Sequence, residues 1–350
     1  MSRRVSVIAL LAFSACSLQR VSPSMSSEAS KLSSTSAPMD EHSAHMSAAD
    51  LAAPSTTPRG KRADQQGVAG LPPSAQTAAA RLAASPRHGE WVKIAWTPGS
   101  ADSLMAWIVY PKAGAKAPVV VVVHEIFGLS TWVRAVADQA AADGFIAIAP
   151  DFLSRVRGGP STIELASDTA VRLIRGVDSA ERNRAIIAAA NYAMMQPAAA
   201  PRYAVIGYCW GGSTTFIHAV NGGVKGYSGG VAFYGLPYMS GGSPATATSP
   251  AVAATLDVDS LARINKPIML LSGSKDARIG AAMPTLEAEM KRLGKAYTGI
   301  NYDGAVHGFL RAQNDPKAKR DEAEEAANYA ATQDAWPRTI AFLRTQLGVK

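Results

Sequence analysis

The sequence predicts an α/β architecture: a mostly parallel central sheet flanked by helices on both faces. Three observations predict it. Strand-like and helix-like segments alternate from residue 87 to the end. "APVVVVVHEIFG" (117–128) is a continuous apolar run ending in a polar loop, as a strand buried on both faces requires. "YAVIGYCWGGSTTF" (203–216) passes from an apolar strand directly into a small-residue helix.

Each element has its own signal. "WVKIAWTP" (91–98) and "LMAWIVYP" (104–111) alternate in polarity and read as an opening hairpin. After the buried strand comes a helix from about 131 to 143, closed by Gly144, and then the strand "FIAIAPDF" (145–152). A helical stretch from 163 to 196 precedes "YAVIG" (203–207) and the helix "GGSTTFIHAV" (211–220). The strands "GYSGGVAFYG" (226–235) and "KPIMLLSGSKD" (266–276) follow, then a helix near Pro284 to Leu293. The strand "AYTGINYDG" (296–304) and a last helix from about 321 to 347 complete the chain, with no internal repeat. Between two of these strands, 236–267 forms a long connection, of the kind from which lids are often built.

The chain has 350 residues, 47% of them hydrophobic, enough to bury a substantial core. Its formal charge of +8 is scattered in single residues and pairs, which excludes a nucleic-acid face. The first residues, "MSRRVSVIALLAFSAC", give a basic start, a short apolar run and small residues, the layout of a secretory signal over 1–20. Cys16 after Phe-Ser-Ala is similar to a bacterial lipobox, so the expected location is outside the cytoplasm, in the periplasm, with Cys16 offering a lipid tether to the membrane. Residues 21–86 are dominated by Ser, Ala, Thr and Pro; they predict a disordered linker, in which His42 and His45 are solvated rather than metal ligands. The catalytic domain is expected over 87–350. With only two cysteines, Cys16 and Cys209, a disulfide framework is excluded, and the oligomeric state is left open.

"GYCWGG" places Cys209 in a Gly-x-Cys-x-Gly-Gly pattern at a strand-to-helix junction, the form of a nucleophile elbow with cysteine for serine. A helix amino terminus there lowers the cost of a thiolate. The pattern alone leaves a second reading open, a small buried hydrophobe. Further along, Asp276 follows one strand and His307 another, giving the order nucleophile, acid, histidine, each on a loop at the carboxyl end of a strand. Asp303 is the rival acid, better read as a turn cap, and His218 the rival base, better read as pointing away from the sulfur.

"HEIFGL", "APDFLSR", "GYCWGG", "SGSKDARI" and "HGFLR", in this order, resemble the dienelactone hydrolase family of α/β-hydrolases over roughly 88–348. The resemblance implies the α/β-hydrolase fold and a catalytic triad of Cys209, Asp276 and His307. It further implies that Glu125 pairs with the resting thiol, that Arg155 and Arg311 hold a substrate carboxylate, and that the amides of Ile126 and Trp210 form the oxyanion hole. For Glu125 a loop-end carboxylate bonded to backbone stays open as the other reading, and for each arginine a surface position. The implied substrate is a lactone or small ester bearing a carboxylate. The alternatives are a general esterase or thioesterase, and a silent tethered carboxylate-binding protein. No metal motif, phosphate loop or dinucleotide fingerprint occurs, and acyl transfer requires no cofactor.

Overall fold

The computed structural model describes residues 69–97, 99, 101–112, 114–161, 166–242, 246, 249–313 and 322–349. The leader at 1–20, its Cys16, and the linker as far as residue 68 lie outside the described residues. All described residues belong to one unit, Pro38–Lys350.

The strands in chain order are β1 (Gly89–Ala95), β2 (Ser103–Val109), β3 (Ala117–Val123), β4 (Ile146–Pro150), β5 (Ala199–Tyr208), β6 (Tyr227–Phe233), β7 (Met239–Ser240), β8 (Thr255–Leu256), β9 (Ile268–Gly273) and β10 (Tyr297–Tyr302). Eight form one sheet in the order β1-β2-β4-β3-β5-β6-β9-β10. β1 pairs antiparallel with β2, as their alternation predicts, and β2 antiparallel with β4. From β4 to β10 every pairing is parallel. This is the α/β-hydrolase architecture predicted from the sequence.

Successive residues of a strand face opposite sides of its sheet, yet Val119 to Val123 are all fully buried, so both sides of β3 are covered. The helices in chain order are α1 (Ala78–Ala83), α2 (Thr131–Ala142), α3 (Ser154–Arg157), α4 (Ser167–Ile174), α5 (Ser179–Met194), α6 (Trp210–Val220), α7 (Val258–Leu261), α8 (Ala277–Arg292), α9 (Phe309–Ala312) and α10 (Glu322–Leu347). α5 and α6 pack on each other and on β3 and β5, whereas α2 packs on β2, β3 and β4, and α10 on β5, β6 and β9. The chain leaves β3 towards β4 on one side and β5 towards β6 on the other. The carboxyl ends of β3 and β5 therefore flank the switch point at which open α/β sheets form their crevice.

Three boundaries differ from the sequence reading. The long helical stretch is divided into α4 and α5 around Gly176. α8 begins at Ala277 rather than Pro284, because Asp276 caps it: the carboxylate accepts the Ile279 N–H at 3.4 Å, and the helix carries Pro284 in its interior. The third difference is the domain boundary, since ordered structure begins before residue 87. Leu71, Ser74, Ala75 and Ala78 are buried, α1 follows, and Arg87 forms a two-pronged ion pair with Asp138 of α2. Composition hides this strap, because few large apolar residues suffice when backbone groups make the contacts. The Trp132 indole N–H donates to the Pro73 carbonyl at 2.9 Å, and the Ala75 N–H donates to the Arg311 carbonyl at 3.0 Å.

Replacing Trp132 by Phe keeps an aromatic ring but removes part of the buried indole and strands the Pro73 carbonyl, so it is expected to lower unfolding free energy by at least about 1–3 kcal/mol. Urea denaturation checks this; an unchanged midpoint would show that the strap contributes nothing. Among the described residues no helix is long and apolar enough to cross a membrane.

Candidate active site

β5 delivers Cys209 directly into α6, with no loop between them. Such a reversal forces an unusual backbone: Cys209 has φ 57° and ψ −118°, and among the described residues Tyr234 (φ 38°) is the only other non-glycine with positive φ. Conformations of this kind cost about 1–3 kcal/mol and persist where the surroundings enforce them. Here the Cys209 N–H donates to the Phe233 carbonyl at 3.0 Å, while the Cys209 carbonyl accepts the Gly212 and Ser213 N–H groups at 2.8 and 3.1 Å. The glycines of the elbow are steric requirements: a Cβ at Gly211 would lie 2.6 Å from the His124 carbonyl oxygen.

Two other strands bring partners to the sulfur. Asp276 follows β9 and His307 follows β10, both about 5% exposed. His307 Nδ1–H donates to Asp276 Oδ2 at 2.5 Å, and Asp276 Oδ1 is the oxygen that caps α8. One carboxylate thus starts a helix and orients an imidazole. The imidazole and the Cys209 side chain lie close enough for each to shift the titration of the other. Burial opposes a charged imidazole, yet the sulfur and the Asp276 carboxylate outweigh it and hold His307 well above its ordinary pKa. For Cys209, burial pushes the thiol above its ordinary value, His307 and the Trp210 amide pull it back, and the charge of Glu125 adds to the rise.

Glu125, just after β3, is 1% exposed, and its carboxylate pairs with Arg311 Nε at 3.1 Å. Arg311 lies in α9, four residues after His307, with its guanidinium over Phe127 at 5.3 Å. Cys209, His307, Asp276, Glu125 and Arg311 thus form one buried cluster. The amides of Ile126 and Trp210 belong to residues adjoining Glu125 and Cys209, and both residues are buried. Arg155 is placed differently. It projects from α3 onto Asp102 at 2.8 Å and onto Glu181, with its guanidinium 4.2 Å over the Trp96 ring.

The rivals have other partners. His218 bonds to the Tyr203 hydroxyl at 2.9 Å and to Asn183 at 2.7 Å, and burial lowers its pKa to about 3. Asp303 accepts the Ser274 hydroxyl at 3.2 Å in a turn. Two residues near the cluster carried no signal in the sequence. Tyr234 lies after β6 with its ring 5.1 Å from His307, and His124 stacks on Trp210 with ring centroids 5.9 Å apart. Among the described residues no group of three His, Cys, Asp or Glu side chains gathers to hold a metal ion.

A sequence model described as "Dienelactone hydrolase family" matches residues 104–347. Among curated relatives, a Bradyrhizobium protein named "Probable 2-oxo-3-(5-oxofuran-2-ylidene)propanoate lactonase" is 26% identical over 265 residues, covering 74% of this chain and 94% of its own. A Methylorubrum extorquens protein named "Putative carboxymethylenebutenolidase" is 29% identical over 281 residues, covering 79% and 87%. Among solved structures, "Putative Dienelactone Hydrolase" from Klebsiella pneumoniae superposes with a TM-score of 0.54 at 24% identity, over 73% of this chain and 98% of that one.

Proposed function

The chain belongs to the dienelactone hydrolase family of carboxylic ester hydrolases, and on that premise we propose that it cleaves a lactone or small carboxylate-bearing ester through a thioester on Cys209. The observation that carries this reading is the Asp276–His307–Cys209 relay at the strained strand-to-helix junction. His307 accepts the thiol proton as the sulfur attacks the acyl carbon. The oxyanion rests on the amides of Ile126 and Trp210. Collapse of the tetrahedral intermediate breaks the acyl C–O bond, His307 returns the proton to the departing oxygen, and the acyl group stays on sulfur. Water, deprotonated by His307, then releases the acid and restores the thiol. A thiolate itself leaves readily from such an intermediate, so productive turnover favours acyl groups with good leaving oxygens, enol esters among them.

Arg311 is the group that favours an anionic substrate. In the free protein Glu125 pairs with it through Nε, and a substrate carboxylate brings the same charge and acceptor oxygens. The Tyr234 hydroxyl, buried and without a hydrogen-bond partner among the described residues, is available to a polar substrate atom. Arg155 would contribute only by exchanging Asp102 and Glu181 for substrate, so its share is the smaller.

Arg311→Met is accordingly expected to lower kcat/KM by about 10- to 100-fold for acidic lactones relative to neutral analogues, and Arg155→Met by less than about 3-fold. A panel of paired acidic and neutral lactones checks this. Equal losses on both would favour a general esterase, and no turnover of any ester, with an unreactive Cys209, a binding protein. We further propose export, with Cys16 as a lipid anchor, on the strength of the leader sequence; the mass of the mature amino-terminal peptide tests it.

A further inference from the structure

We propose that His124 is a positioning residue, one that aims the Ile126 amide at the oxyanion. This rests on the reading above, in which that amide is one of the two donors. The imidazole is fully buried between β3 and the nucleophile elbow. Its Nε2 accepts the Phe152 N–H at 3.2 Å, which fixes the tautomer and leaves the proton on Nδ1. Nδ1–H then donates to the Glu125 carbonyl at 2.6 Å, and the Gly128 N–H reaches the same oxygen at 3.3 Å. That carbonyl and the Ile126 N–H are the two ends of one peptide unit. In a planar trans peptide they point in opposite directions, so clamping the oxygen sets the line of the N–H.

The plane of the ring is fixed as well. It stacks on Trp210, centroids 5.9 Å apart and 12° from parallel, and meets Phe152 edge-on at 5.2 Å. Trp210 supplies the other donor amide, so one imidazole bonds the peptide unit that carries the first N–H and stacks on the residue that carries the second. Burial lowers the pKa of His124 to about 4, which keeps the ring neutral and its acceptor nitrogen intact near neutral pH. The role needs direction rather than charge, and preorganised donors of this kind contribute chiefly in the transition state.

The test separates oxyanion stabilisation from thiol reactivity in the full chain. His124→Phe keeps an aromatic ring and removes both hydrogen bonds; His124→Asn keeps a side-chain N–H near the position of Nδ1. Single-turnover acylation by p-nitrophenyl acetate is compared with alkylation by iodoacetamide, in which the same sulfur displaces iodide from a methylene carbon and no oxyanion forms. His124→Phe is expected to slow acylation by about 100- to 1,000-fold while alkylation stays within about 3-fold, and His124→Asn to recover at least about 10-fold of the loss. Unchanged acylation in His124→Phe, or acylation and alkylation falling together, would overturn the proposal. Should His124→Phe fail to fold, His124→Asn decides alone: a drop in acylation beyond about 100-fold, despite the retained donor, overturns it. Ile126→Pro, which lacks the N–H, distinguishes the two layers. If it acylates at the wild-type rate, the oxyanion assignment has failed; if it is slow while His124→Phe is fast, only the positioning role has.

Discussion

Cys209→Ala is expected to abolish hydrolysis, with kcat/KM falling by at least about 10,000-fold on every substrate the wild type accepts. The expectation follows from geometry. The sulfur stands on a backbone of φ 57°, which the strand and helix enforce whatever side chain is attached, with the imidazole against it. Removing one atom from a site otherwise held by backbone hydrogen bonds leaves the scaffold in place, so loss of activity and loss of fold are separable by circular dichroism. Cys209→Ser keeps an oxygen nucleophile but replaces a thiol by a far less acidic hydroxyl, and is expected to be slow rather than silent. A limiting dose of a thiol reagent, followed by peptide mass spectrometry, should find the label on Cys209 in proportion to lost activity. Wild-type rates in Cys209→Ala would refute the thioester route.

The next largest effect is expected at Asp276, where the dual use of one carboxylate allows a clean dissection. Asp276→Asn should lower kcat by about 1,000- to 10,000-fold, because an amide facing Nδ1 favours the wrong tautomer of His307. Stability should hardly move, since Asn caps helices about as well as Asp. Asp276→Ala loses the cap as well and should cost about 1 kcal/mol more. The pH profile gives an independent readout. His307 must be neutral to accept a proton, so activity declines as pH falls through its raised pKa. Removing the Asp276 charge removes one cause of that rise, and the acid limb of the variant should move to lower pH. An acid limb that stays in place would assign the titration to another group.

Much of this site is legible in the sequence, because the chemistry is attached to regular elements. An apolar run that ends in Glu125, and another that enters Gly-x-Cys-x-Gly-Gly, place a carboxylate and a thiol at the ends of adjacent parallel strands before any coordinates are seen. The order of Asp276 and His307 after the last two strands completes the cluster for the same reason. Arg155 shows the limit. Its position after β4 is as legible as that of Arg311 after His307, but which carboxylate a guanidinium meets depends on Asp102 and Glu181, which arrive from distant parts of the chain. His124 and Tyr234 were missed for different reasons. A histidine in an apolar run has no pattern that says which backbone groups it bridges, and nothing in the letters around Tyr234 signals a positive φ. The start of α8 is hard to read from sequence because the capping role of Asp276 becomes visible only in three dimensions.

The strap ahead of β1 reaches the candidate site through the main chain. Ala75 lies ahead of the residues that the family model matches, yet its N–H is bonded to the carbonyl of the arginine proposed to hold the substrate's charge. Deleting residues 69–76 would keep the nucleophile but remove a support of the arginine proposed to grip anionic substrates, so the fate of a segment far from the sulfur bears on selectivity.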